Sequence, residues 1–223
     1  MRFEGIVEKF PGLCVAEGVV HGLSIGGKSE DLERLRMEIV GRIRSSYTLE
    51  NVKDDPGFRA YRDFFWGVGV DPTKTRPASE ALVRRVLAGK SLPVINAAVD
   101  AYNLASASNG VPIAAFDDNL LCGVLTMRFA RDGETFLGIG MEKRAVLKTN
   151  QVVIADEGDR IVAIYPYRDS DDTRVTSSTR DIRLVSCGVP GVSRSKVLDA
   201  YRSCADYMKR YCGGSSDDPS LYP

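Results

Sequence analysis

Apolar positions recur at helical spacing through the first half of the chain and in short strand-length runs through the second. Leu32, Leu35, Ile39 and Ile43 make one stripe of an amphipathic helix, with Arg34, Glu38 and Arg42 on the opposite, solvated face. Ser29 is a suitable N-cap for it, and Glu30 and Asp31 favour its first turn. Before it, the valine-rich run Leu13 to Val20 predicts a strand, punctuated by Pro11-Gly12, with His21 at a turn or the edge of the core. After it, Phe58, Tyr61 and Phe65 predict a short aromatic helix, thickened by Phe64 and Trp66 and stopped by Gly67 and Gly69; such a stripe is read as core.

The stretch Asp71 to Asn103 predicts two helices packed back to back. Asp71-Pro72 ends what precedes, and Pro77 suits a first helical turn. Ala81, Leu82, Val86 and Leu87 follow at helical spacing, and Gly89 can take a left-handed cap. Pro93 opens the second helix, whose apolar face is Ile95, Ala98, Val99 and Tyr102. Asp100 and Asn103 are helical neighbours beside the basic cluster Lys74, Arg76, Arg84 and Arg85. A cap or buried hook explains the acid, and a solvated face explains the arginines, as well as an active site does.

Beyond the polar loop Ser106 to Gly110 the pattern changes to strands: 123–131, 136–139, 151–156, 160–165 and 182–187. They are too close together for a helix between each pair, so the second half is mainly antiparallel and the class is α+β. Ser193 starts a last helix with Val197, Tyr201, Cys204, Ala205, Met208 and Cys212 on its apolar face, capped by Gly213. Residues 1–213 are expected to form one domain and 214–223, rich in serine, aspartate and proline, a flexible tail.

Composition narrows the chemistry. The chain has 223 residues, enough to bury a sizeable core, and balanced charge, with 30 basic and 30 acidic side chains. Any nucleic-acid site must therefore be a local patch. One histidine rules out a zinc site built from several histidines. The five cysteines include no C-x-x-C pair, and no secretion signal is evident, so reduced thiols and a cytoplasmic protein are expected. No apolar run approaches the roughly 20 residues of a membrane helix. No metal or cofactor motif is found. The segment Arg168 to Arg180 is the densest polar stretch in the strand-rich half, with hydroxyls able to donate to an oxyanion and carboxylates able to orient water. A self-capping surface turn accounts for it equally well.

The order of these pieces carries a resemblance. Asp71-Pro72-Thr73-Lys74-Thr75-Arg76-Pro77, Glu80-Ala81-Leu82, Arg84-Arg85 and Ile95 to Asn103 resemble the start of the B3/B4 domain, the editing module of the bacterial-type phenylalanyl-tRNA synthetase beta subunit. The likeness continues through Phe116-Asp117, Gly123, Arg128-Phe129-Ala130, Gly133-Glu134, Val153 to Asp156 and Asp169 to Thr179, covering about Asp71 to Cys187. It implies a three-layer fold of mainly antiparallel sheets in a sandwich-like arrangement flanked by helices. It also implies a freestanding hydrolase for the ester of mischarged aminoacyl-tRNA, with tRNA as partner and no cofactor.

Two departures bear on specificity. The family's Pro-Leu-His-Ala-Phe-Asp is Pro112-Ile113-Ala114-Ala115-Phe116-Asp117 here, so the pocket histidine is Ala114. The family's Gly-Gly-Glu aligns onto Asp169-Ser170-Asp171, leaving an acid one methylene shorter. By this resemblance Asp171 or Asp100 orients water. Asn103, Thr173 and Thr176 hydrogen-bond the ester or amino acid, with Ala114 and Arg128 also in the substrate pocket. Arg76, Arg84 and Arg168 meet the acceptor-end phosphates. The alternative is a non-catalytic module that binds RNA or an amino-acid-like ligand; an unrelated small-molecule hydrolase is a further option.

Overall fold

The computed structural model describes every residue except Lys28. The chain opens with β1 (Arg2–Glu4), α1 (Ile6–Lys9) and β2 (Cys14–His21). Three helices follow, α2 (Glu30–Ser46), α3 (Pro56–Gly67) and α4 (Ala78–Leu87), then α5 (Ala97–Asn109). The strand-rich half comprises β3 (Ile113–Asp117), β4 (Thr126–Phe129), β5 (Thr135–Phe136), β6 (Ala145–Val146), β7 (Val152–Ala155), β8 (Ile161–Ile164), β9 (Arg168–Asp169) and β10 (Ile182–Gly188). The chain closes with α6 (Arg194–Cys212), β11 (Ser215–Ser216) and β12 (Ser220–Tyr222).

Local chemistry sets the helix starts. Ser29 Oγ accepts from the Leu32 N–H, with Glu30, Asp31 and Glu33 in the first turn of α2. Asp55 caps α3, whose first residue is Pro56, and Ser193 caps α6. Phe58, Tyr61, Phe64 and Phe65 are core, as the aromatic stripe requires, while Trp66 stays exposed.

The strands form two five-stranded sheets and one small ribbon. The first sheet runs β1-β4-β7-β8-β9, antiparallel except for the β1–β4 pair. The second runs β11-β2-β10-β3, with β12 also paired to β2. The class is α+β, as expected. Helix α6 covers the second sheet, and it comes in close because Gly18 and Gly188 have no side chain: a Cβ at either would run into Tyr201 or Val197.

Several expectations are corrected. Helix α5 starts at Ala97, where the Asn96 side chain accepts from the Val99 N–H, rather than at Pro93, so Ile95 is outside the helix and 64% exposed. The helix then runs through the segment read as a loop, ending at Asn109 with Gly110 in the left-handed conformation. In α4 the buried face is Ser79, Glu80, Val83 and Val86, not the Ala81–Leu82 side. The strand Ile113–Asp117 carries no alternation, because all five residues are buried, and it escaped the pattern. Residues 214–223, expected to be a flexible tail, cover the edge of the second sheet, where the Ser215–Ser216 and Ser220–Tyr222 strands both pair with β2. His21 lies at the strand end, between Asp181 (3.4 Å) and Asp217 (3.1 Å). Cys122 is exposed and the other four cysteines are buried, all of them free thiols. No helix is long and apolar enough to cross a membrane among the described residues.

Candidate functional site

A cleft of about 170 Å³ opens where the two sheets meet, and helix α5 closes one side of it. The pleat decides what the first sheet puts there. Register aligns Met127, Ile154, Ala163 and Asp169 across four strands, so these side chains share one face. Ile154, Ala163 and Asp169 all line the cleft. The facing sheet contributes Ala114 and Cys187, and α5 contributes Tyr102 and Asn103. The volume is close to that of the roughly 150 Å³ cavities known to hold a benzene ring, so a compact side chain fits.

Asp169 is the chemical centre of this space. It sits on β9, the edge of the first sheet, and its Oδ2 accepts from the Ala115 N–H at 3.2 Å on β3, the edge of the second. One carboxylate thereby joins the edge strands of the two sheets. Protein packs around it except where it faces the cleft, and burial lifts its pKa from the usual carboxylate range to about 7; the single amide bond offsets that only in part. The group therefore exchanges its proton near neutrality, as a general acid–base group requires. Burial, reinforced by the Asp169 charge, raises the pKa of the neighbouring Tyr102 hydroxyl, so it remains a donor at neutral pH.

A second depression, about 510 Å³, adjoins the cleft and shares Tyr167 and Arg168 with it. Its walls carry Lys74, Arg76, Arg84, Arg85, Lys90 and Arg168, with no acidic residue among them. Arg84 and Arg168 are held in place. Arg84 Nε donates to Glu80 Oε1 at 2.6 Å, and Arg62 Nη1 donates to the same oxygen at 2.8 Å. The Arg168 guanidinium lies 5.0 Å from the centre of the Tyr167 ring and donates to the Ile139 carbonyl oxygen at 3.2 Å. A concave patch of one sign on a chain of zero net charge focuses the field toward an anionic partner.

The structure thus brings together Asn103 and Ala114 in the cleft and Arg76, Arg84 and Arg168 in the adjoining depression. It places the other expected residues elsewhere. Asp100 is buried against Arg36, its Oδ2 accepting from Nη2 at 2.7 Å and its Oδ1 from the Ile95 N–H at 2.9 Å. Side chains three residues apart on a helix still diverge by about 60° around its axis. That is enough to send Asp100 toward α2 while Asn103 faces the cleft. Asp100 is therefore a structural ion-pair residue, not a water-orienting one. Asp100→Ala leaves Arg36 buried with only Glu33 and the Pro93 carbonyl. It is expected to cost about 3 kcal/mol in urea unfolding.

Arg128 is likewise corrected. Register pairs it with Val153, one residue along from the Met127–Ile154 pair, so its side chain points to the other face of the first sheet. There it is clamped by Glu134 (2.6 and 2.9 Å) and Asp159 (2.9 Å), with no contact to the cleft. Asp171 is the first residue of a short turn after β9 that Ser170 caps, and it pairs with Arg174 at 2.9 Å, outside the cleft wall. Thr173 is fully buried, and Thr176 bonds Ser178 at 2.8 Å within its own turn. The neighbouring Thr179 ties that turn to Asp117 at 2.6 Å. The hydroxyl-rich segment is therefore a self-capped turn, and only its first residues, Arg168 and Asp169, reach the cleft. Sequence reasoning misses Asp169 because it stands where the resemblance expects a glycine. Its one signal is being an acid in a strand-ending position next to Arg168. Tyr167 is missed as one apolar residue among many.

Comparison with known proteins agrees with this architecture. The chain is 36% identical over 127 residues to the phenylalanine–tRNA ligase beta subunit of Synechococcus sp. (strain CC9605), covering 53% of this chain and 15% of the relative. The corresponding subunit of Nitrobacter winogradskyi is 27% identical over 173 residues, 75% of this chain and 20% of its own. The chain thus spans a fifth or less of the length of these relatives. An N-terminal fragment of the phenylalanyl-tRNA synthetase beta-subunit from Pyrococcus horikoshii superposes with a TM-score of 0.53 at 14% identity, over 100% of this chain and 53% of that one, which is a likeness of fold. The model of the B3/4 domain matches residues 60–213, extending the likeness past both ends of the motif-bearing segment. The chain belongs to the B3/4 domain family.

Proposed function

We propose that this chain hydrolyses the ester between an amino acid and a mischarged tRNA. What carries the reading is the junction of the two concave surfaces: a small cleft holding an acid–base carboxyl abuts an all-cationic depression, and Tyr167 and Arg168 form the wall between them. The relatives are tRNA ligase subunits, which supports a tRNA as the anionic partner. The aminoacyl group enters the cleft, and the acceptor-end phosphates lie on Arg76, Arg84 and Arg168.

The chemistry needs no covalent nucleophile, because the ester is already activated. Ionised Asp169 takes a proton from water as the water oxygen attacks the ester carbonyl carbon. Asn103 and the Tyr102 hydroxyl donate to the carbonyl oxygen as it gains charge. Collapse breaks the bond to the ribose oxygen, which recovers the proton from Asp169, and the free amino acid and intact tRNA leave. The cleft lacks the family's histidine at Ala114 and adds Asp169, so the amino acid rejected need not be the one the synthetases reject.

The test is deacylation of tRNA mischarged with a panel of amino acids. Release above buffer for at least one of them, lost in Asp169→Asn, is expected. Saturable binding with no release for any amino acid would replace this reading with that of a non-catalytic binding module.

A further inference from the structure

The proposed function leaves a sizeable space beside the cleft unused. This cavity, of about 430 Å³, is walled by Val70, Val146, Asn150, Gln151, Tyr165 and Tyr167, among others. It shares Lys74, Thr75 and Tyr167 with the basic depression, and Ile164, Tyr165 and Tyr167 with the cleft. Among the described residues, Tyr167 alone belongs to all three walls. Three concave surfaces of different chemistry thus radiate from one aromatic ring: one cationic, one small with a carboxyl, and one of mixed character within the size range of small-molecule sites.

An aminoacylated nucleotide has the same form. A single ribose carries a phosphate at one corner, an amino-acid ester at another and a flat base at a third. We propose that the cavity beside Asn150 and Gln151 receives the nucleobase of the terminal nucleotide, with its ribose against Tyr167, its phosphate toward Lys74 and its ester in the cleft. This rests on the function proposed above and specifies how its substrate is held.

The walls suit a base. Val70, Val146 and Tyr167, none of them buried, supply apolar area to cover its faces. Asn150 commits its amide nitrogen to the Val68 carbonyl, and Gln151 commits its side-chain carbonyl to the Lys148 N–H at 2.8 Å. The remaining half of each amide, an acceptor on Asn150 and a donor on Gln151, has no partner among the described residues, the pairing that base edges present in return. Both side chains are held in position by backbone contacts, so little ordering is needed on binding.

Two measurements test it. In the first, adenosine monophosphate is titrated into the full chain and the side-chain amide signals of Asn150 and Gln151 are followed by NMR. They are expected to shift, and the shifts to vanish in Val146→Trp, which fills the cavity from a side chain that is 71% exposed and so leaves the core intact. The same shifts with inorganic phosphate alone, or none with the nucleotide, would overturn the proposal.

In the second, deacylation is compared on an aminoacylated minihelix and on one whose terminal nucleotide lacks its base. Base removal is expected to raise KM about tenfold with kcat within twofold. Val146→Trp should raise KM alike, with no further rise when both are combined. Deacylation that persists with KM indifferent to both changes would refute the base site and leave the hydrolase standing. Absence of deacylation on every substrate would instead remove the hydrolase, and the nucleotide titration alone would then decide for or against the cavity.

Discussion

Asp169→Asn is expected to slow deacylation at least about a hundredfold and, in the same molecule, to raise the stability of the fold in alkaline solution. The activity follows from the proposed mechanism: there the carboxylate form takes the proton from water, so wild-type kcat/KM is expected to rise with pH through about 7, the value to which burial lifts the group. The amide keeps the hydrogen bond from the Ala115 N–H and the shape of the cleft, but has no basic site. The stability follows from linkage. Between the ordinary carboxylate range and about 7 the native chain holds a proton on Asp169 that the unfolded chain has released. Stability must therefore fall as pH rises through that window, with the full penalty present above it. The loss accumulates at about 1.4 kcal/mol for each pH unit crossed, reduced because the group faces the cleft's water, so the penalty at pH 8 is on the order of 2–4 kcal/mol. Urea denaturation at pH 4 and pH 8 reads it: the variant should match the wild type at the lower pH and exceed it at the higher. Equal stability at both values, or undiminished turnover, would show that the Asp169 carboxyl is not the titrating group of the site.

Replacing Arg76 and Arg168 together by glutamine is expected to weaken tRNA binding roughly thirtyfold near 0.1 M salt and to flatten its salt dependence. Each lost phosphate contact removes about 0.7 to 0.9 from the slope of log affinity against log salt, so the pair should remove about 1.4 to 1.8. Arg84 is the wrong residue for this test. Its guanidinium shares Oε1 of the fully buried Glu80 with Arg62, so removing it uncovers part of a buried charge and costs stability as well as binding. Binding isotherms at several salt concentrations give the slope directly. A slope unmoved by the double substitution would place the nucleic acid on another face.

Much of this was open to a reader of the sequence. The amphipathic stripes, the caps at Ser29 and Ser193 and the strand pairs with turns between them are local signals, set within a few residues, and they yield the α+β class. The serial motifs from Asp71 to Cys187 carried the family. The basic residues of the depression were also legible, because Arg76 and Arg84 lie near one another along the chain and Arg168 falls in the one polar segment between strands.

The rest was decided by tertiary structure. Which way a strand residue points depends on a register that sequence alone does not state. Arg128 and Asp169 both lie on strands of the first sheet, and only the pairing of β4, β7, β8 and β9 sends Arg128 to the outer face and Asp169 inward. Asp100 and Asn103 share a helix, and only the position of α2, bringing Arg36 alongside, turns the first into a structural pair and leaves the second facing the cleft. The strand Ile113–Asp117 shows no period because both its faces are covered, and the terminal segment, polar enough to read as frayed, is ordered by the edge of β2 that it pairs with. The amino acids alone fixed the repertoire of charges and the order of the elements. The raised pKa of Asp169 and the meeting of three cavities at Tyr167 exist only because two sheets, whose strands interleave along the chain, close on each other around that carboxyl.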